Sequence, residues 1–233
     1  MDQKWEIIEK YFERNVKDGI HLNRQDCLIS VSELFFGVEY ERGDVENNFY
    51  NGLDCMTFVE TSLSMALSQD LDEFKRNLFK IAYYKSKPEY PYRKHFAYAD
   101  WTLHNLWLLE DRTDFEGELA TIRKRINRAE YLAQKGYDCP HFLKPIEGVN
   151  MKYIPKASNI EIFSPLYIIL FVSPKPGFDI RHMGFLIRYN STTILRHSSQ
   201  IARKVVDVPF LDYLYRLETP GFLLLKMKED ELC

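Results

Sequence analysis

A cysteine opens a run that reads as an amphipathic helix, Leu53-Asp54-Cys55-Met56-Thr57-Phe58-Val59-Glu60, after the turn signal Asn51-Gly52. A thiol on a first helical turn feels the positive end of the helix dipole, which favours the nucleophilic thiolate. The position suits covalent catalysis, although a small buried hydrophobe would fit the same pattern. A cysteine nucleophile also needs a base within hydrogen-bond reach, and a third group to orient that base. Two histidines offer themselves: His182 in Arg181-His182-Met183-Gly184-Phe185 and His197 in Leu195-Arg196-His197-Ser198-Ser199. If Asn190-Ser191 is a two-residue hairpin loop, position 182 faces 199 and position 184 faces 197. His182 and His197 then project from one face as diagonal neighbours, and a slip of one residue would part them. Gly184 shares that face and presents no side chain, as close approach of a substrate or a helix end requires. An ordinary hairpin with two core-margin histidines satisfies the pattern as well.

The elements that must position these groups divide the chain. The first half reads mainly helical. Trp5, Ile8, Tyr11 and Phe12 share one face, and Leu28, Val31, Leu34 and Phe35 form another that stops at Gly37. Val59, Leu63, Ala66 and Leu67 line the inner face of the Cys55 helix. Phe74, Leu78, Ile81 and Ala82 mark a fourth helix, closed by the Pro88–Pro91 loop. Trp101, Asn105 and Leu108 begin a further helical stretch, and Ile122 to Ala133 predicts another, with Arg123-Lys124-Arg125 on a solvated face. The second half reads as strands: the apolar run Tyr167 to Val172 between Pro165 and Pro174, then 182–189, 193–198 and, after a helical 210–214, the closing strand 221–227. Helices followed by strands predict an α+β fold with an antiparallel sheet, in a single domain over 1–233.

Composition narrows the chemistry. The 233 residues can bury a substantial core, and a net charge of −3 gives no global reason for nucleic-acid binding. Cys27, Cys55, Cys139 and Cys233 show no CxxC spacing, and Cys139-Pro140-His141 lacks a second half, so neither metal nor cofactor is expected. The N-terminal run Met1 to Phe12 is charged and helical in period, unlike a secretory leader, and no run is long and apolar enough to span a membrane. Tyr83, Tyr84, Tyr90, Tyr92 and Tyr98 cluster, which suits sugar or peptide contacts and ordinary core margins alike.

With these residues in place the chain resembles the NlpC/P60 group of papain-like cysteine hydrolases. More closely, it resembles the branch described as N-acetylmuramoyl-L-alanine amidase-like, domain of unknown function 1460. The resemblance rests on Leu53 to Glu60, His182-Met183-Gly184-Phe185 and Leu195-Arg196-His197-Ser198-Ser199. Arg93, His95, Asp100-Trp101, Asn105, Lys152-Tyr153-Ile154-Pro155 and Pro220-Gly221-Phe222 support it more weakly. It implies a helix carrying Cys55 packed on an antiparallel sheet, with Cys55 as nucleophile, His182 as general base and then acid, and His197 orienting His182. It also implies peptidoglycan or its muropeptide fragments as partner, with the muramoyl–L-alanine amide as the bond cut. The alternatives are a γ-D-glutamyl-diamino acid endopeptidase or acyltransferase using the same three residues, and a non-catalytic wall-binding or effector module. Cys55 and His182 lie 127 positions apart (182 − 55), and the extra length, about 83–148, reads as a helical and aromatic insertion walling the cleft. Asp54 is expected either to cap the helix or to bind a substrate amine or hydroxyl. Arg93 is expected to bind a stem-peptide carboxylate or lie on the surface, and Trp101 to serve as a sugar platform or as core. The family is usually exported. This implies the cell envelope if a leader was removed or export is leaderless, and the cytoplasm otherwise.

Overall fold

Four helices form where the apolar spacing asks for them: α1 (Gln3–Asp18), α2 (Arg24–Leu34), α3 (Cys55–Ala66) and α4 (Leu71–Ala82). The computed structural model describes residues 3–18, 23–41, 53–115, 118–158, 164–190 and 192–228; the Asn51-Gly52 turn signal lies outside them. Three helices open on a side chain that accepts first-turn N–H groups: Asn23 from Asp26, Asp54 from Met56 and Thr57, and Asp70 from Glu73. The turn after α2 closes at Gly37, whose φ of +83° only glycine adopts without strain. Trp5 and Phe12 of α1 pack on Phe74 of α4, with ring centroids 6.0 and 5.9 Å apart. α3 is buried from Thr57 to Met65, because α2 and α4 flank it and the sheet lies behind it. Its buried Ser62 and Ser64 hydroxyls donate back to the carbonyls of Phe58 and Glu60.

The strands are β1 (Leu109–Asp111), β2 (Ala120–Asn127), β3 (Ile146–Pro155), β4 (Leu166–Val172), β5 (Ile180–Tyr189), β6 (Thr192–Ser199), β7 (Lys204–Pro209) and β8 (Gly221–Met227). They form an antiparallel sheet in the order β2-β3-β8-β4-β5-β6-β7, with β1 also paired to β8. Two short helices, α5 (Arg128–Ala133) and α6 (Phe210–Arg216), complete the set. All of β4 is buried, because both faces of the sheet are covered. Ile168, Leu170, Met183, Phe185, Leu223 and Leu225 join Phe58 and Leu63 in the core under the helical layer. Tyr167, Ile169, Phe171, Leu186, Leu195 and Phe222 form a second core with Phe210 and Leu214 of α6. The α+β class with an antiparallel sheet is what the structure has.

The helical reading of the first half holds as far as Ala82 and then fails. Ile122–Ala133 is not one helix: residues 120–127 form β2, and only 128–133 are helical. Thr121, Arg123 and Arg125 face out, while Ile122, Lys124 and Ile126 turn inward at the two-residue period of a strand. Lys124 is buried rather than solvated, its ammonium donating to the carbonyls of Ser173 (2.5 Å) and Lys175 (3.0 Å). Trp101 lies within a single wide turn over Ala97–Thr102, after which the chain runs on to β1 rather than into a long helix.

Candidate active site

The hairpin of β5 and β6 sets the register. Tyr189 pairs with Thr192 and Phe185 with Arg196, as a two-residue loop requires. Asn190 adopts the left-handed backbone (φ 51°) that such a loop needs; Ser191 lies outside the described residues. Hydrogen-bonded pairing stops at Phe185–Arg196, although both strands run on. Past that point the N-terminal end of α3 docks against them: the Ser198 hydroxyl donates to the carbonyl of Leu53, two residues before Cys55. A bulge at the start of β5, where the β4 pairing shifts between Phe171 and Val172, re-aims the residues on either side of Arg181. His182 Nε2 lies 2.6 Å from His197 Nδ1, with the two rings crossed at 86°. The helix that Cys55 opens therefore packs on the two strands that carry the histidines, and His182 is bonded to His197.

Gly184 serves a nearer neighbour than a substrate. A Cβ there would stand 2.7 Å from the Arg196 carbonyl oxygen and 2.9 Å from the His197 Cβ. The missing side chain is what lets β6 bring His197 against β5. Arg196 fixes that strand from its far side, donating to both carboxylate oxygens of Asp207 (2.8 and 2.9 Å), to Ile29 O and to Ser32 Oγ.

The electrostatics correct the expectation of a thiolate. Burial pushes the Cys55 thiol up to about 12, and the Asp54 carboxylate adds to it; the N–H groups of Met183, Cys55 and Met56 pull the other way. Burial brings His182 down to about 3, helped by His197 and Arg181. Burial also lowers His197 to about 4, against the pull of Asp207. The helix dipole loses to desolvation and to the cap's own charge, so the resting groups are a neutral thiol and two neutral imidazoles.

Asp54 caps α3: its Oδ1 accepts from Met56 N (3.0 Å), Thr57 N (2.8 Å) and Thr57 Oγ1 (2.9 Å). Arg93 is neither on the surface nor turned to a substrate carboxylate. Its guanidinium is buried in a fork on Glu60 of α3, with both contacts 2.7 Å, and also donates to Ala82 O. Trp101 is 0% exposed and offers no face to a sugar; it is core. Its neighbour Asp100 is pinned by Arg128 at 2.6 Å. Among the clustered tyrosines, Tyr90 stacks on Tyr137 at 5.1 Å, and Tyr84 and Tyr92 pack on Phe142, so they bind the 137–142 loop to the 84–92 turns. Cys27, Cys55 and Cys139 are free thiols.

Sequence reasoning missed two neighbours of the histidines. Phe171, directly across from His182 on β4, lies nearly parallel to its ring. Tyr213 of α6 has its ring centroid 4.8 Å from that of His197 and 5.9 Å from that of His182. The signal available was a tyrosine on a short helix between two strands, and it could not place the ring. Asp179 was missed as well. It accepts from the N–H groups of Tyr98 and Ala99 through one oxygen and of Ile180 through the other, anchoring the start of β5 to the Ala97–Thr102 turn.

A family model described as AmiA-like, N-acetylmuramoyl-L-alanine amidase-like, matches residues 31–221, which include all three candidate residues. The chain belongs to that family. A Legionella pneumophila crystal structure assigned to family DUF1460 is 25% identical to this AmiA-like chain, with a TM-score of 0.76, covering 99% of this chain and 96% of that one. An N-acetylmuramoyl-L-alanine amidase from Bacteroides uniformis has the same fold at 24% identity and TM-score 0.71, over 88% of this chain and 99% of that one. A putative xylanase from Bacteroides fragilis also has it, at 24% identity and TM-score 0.63, over 85% and 100%. No curated protein sequence matches the chain. No helix among the described residues is long and apolar enough to cross a membrane.

Proposed function

We propose that this AmiA-like chain is a cysteine hydrolase of peptidoglycan, with an NlpC/P60-type papain-like core, that cuts the amide between the muramic acid lactyl group and L-alanine. The observation that supports the reading is the 2.6 Å bond between His182 and His197, on strands against which the N-terminal end of the Cys55 helix docks. With Nε2 of His182 given to His197, its Nδ1 is the nitrogen left for the thiol. A base at Nδ1 needs its proton on Nε2, so His182 donates to His197 Nδ1 and His197 carries its own proton on Nε2.

As the sulfur attacks the carbonyl carbon, Nδ1 takes the thiol proton and the C–O π pair moves to oxygen. The Cys55 N–H helps hold that oxyanion. Collapse re-forms the carbonyl and breaks the C–N bond, and His182 returns its proton to the departing amine, leaving a thioester. Water, deprotonated by His182, then displaces the sulfur, and the thiol recovers its proton. Since the resting pair is neutral, the proton moves with the attack rather than before it. Asp54, in the turn just before the nucleophile, is the side chain we assign to a substrate amine or sugar hydroxyl in addition to its capping role.

Digestion of purified sacculi and defined muropeptides, followed by mass analysis, tests the proposal. Release of intact stem peptides from the sugar strand is expected, with turnover lost in Cys55→Ala and His182→Ala. Fragments cut after D-glutamate would move the scissile bond. Turnover that survives in Cys55→Ala would end the thioester mechanism.

A further inference from the structure

We propose that Tyr213 is a positioning residue of this site: its ring lids the His182–His197 hydrogen bond, keeps water from it and so holds the pair in a single tautomer. The inference rests on the reading of these histidines as base and orienter.

A bond between two neutral imidazoles is easily lost to water, because each ring nitrogen can equally well bond a solvent molecule. Phe171 covers His182 in a near-parallel arrangement, its ring inclined only 18° with centroids 6.3 Å apart. Among the described residues Tyr213 is the aromatic ring that meets both imidazoles, at 4.8 and 5.9 Å, and it also touches Phe171 at 5.5 Å. In this group of four rings Tyr213 meets the other three, beside the part-buried imidazole–imidazole bond. Tyr213 is held there by α6, whose Phe210 and Leu214 anchor in the second core while Leu211 and Tyr215 point to solvent. The helix therefore presents the Tyr213 ring to the two histidines. The charged and titratable groups facing this cluster are Cys55 from α3, Arg181 from β5 and Asp207 from β7, besides the histidines and Tyr213 itself. Asp207 is engaged bidentately by Arg196 and Arg181 donates to the Glu218 carbonyl, so burial, to which the Phe171 and Tyr213 rings contribute, is the largest influence keeping protons off the imidazoles.

Ring-proton NMR titration of the histidines decides the question without requiring any turnover, with the signals assigned through His182→Gln and His197→Gln. In the wild type both imidazoles should stay neutral well below the ordinary histidine range. In Tyr213→Ala both should move up by about one unit or more as water reaches them. Tyr213→Phe, which keeps the ring, should keep the wild-type titration. The proposal is overturned if Tyr213→Ala titrates like the wild type, or if Tyr213→Phe shifts as far as Tyr213→Ala. It also falls if both wild-type imidazoles titrate in the ordinary range, an outcome that needs no variant to fold. Failure to cleave any muropeptide, with the titrations as expected, would remove the proposed substrate and leave this role of Tyr213 standing.

Discussion

Replacing Arg93 by alanine separates a structural role from a substrate-binding one. Glu60 is 0% exposed, and Arg93 meets it through two parallel contacts of 2.7 Å while also bonding Ala82 O. Removing the guanidinium leaves a carboxylate in the middle of α3 with its main counter-charge gone. Breaking a buried pair from one side costs about 3–5 kcal/mol, far more than an exposed pair is worth. For a chain of this length each kcal/mol moves Tm by about 2–4 °C, so a fall of roughly 6–20 °C is expected in a thermal melt followed by circular dichroism. KM of the folded fraction should hold, because the fork faces α3. The double variant Arg93→Met with Glu60→Met should recover most of the loss, since a well-packed apolar pair removes the buried charge as well as its partner. An Arg93→Ala protein that melts with the wild type but shows a severalfold higher KM would refute this reasoning and return Arg93 to the substrate.

Asp54→Asn keeps a good capping side chain but deletes the negative charge beside the thiol, so the Cys55 pKa should fall; iodoacetamide alkylation followed against pH reads the change, and an unmoved or raised pKa contradicts it. Gly184→Ala should cost stability and most of the activity together, because the new Cβ must displace the Arg196 carbonyl and the His197 Cβ; melts and turnover both near wild type would show that the strands yield there freely. Acidification should destabilise the fold. His95, His182 and His197, held at about 3, about 3 and about 4, contribute stability that is complete above about pH 6.5 and is lost as pH falls toward those values, because the unfolded chain binds protons first. Asp179, raised to about 6, and Glu60, also raised by burial, work in the opposite sense but are outnumbered, so a Tm that rises between about pH 7 and about pH 4.5 would contradict the balance.

What the sequence disclosed about this molecule was local. The Asp54–Cys55 helix start follows from a side chain that reaches its own first-turn N–H groups, and the same-face histidines follow from a loop of two residues between Tyr189 and Thr192. Long-range pairing was harder to see. β2 hides because Lys124, the residue that should complete an apolar alternation, is a cation whose ammonium is hydrogen-bonded by two carbonyls some fifty positions away. Arg93 read as a possible ligand because its partner, Glu60, is a helix residue that nothing local marks as buried. The upward shift of the thiol has a related cause: the dipole belongs to the helix alone, whereas desolvation depends on the strands β5 and β6 against which α3 packs. The part of Trp101 was equally a matter of what covers it.

The anchoring of Lys124 and Asp179 has a consequence for how the 83–148 stretch can diversify. Between them they lash the 83–148 stretch to the connection that leads into β5, one through the carbonyls of Ser173 and Lys175 and the other through the amides of Tyr98 and Ala99. The segment expected to shape substrate choice is thus moored to the very strand that carries His182. A chimera importing a foreign 83–148 stretch would have to import residues 173–179 with it, or the graft would drag His182 off its mark.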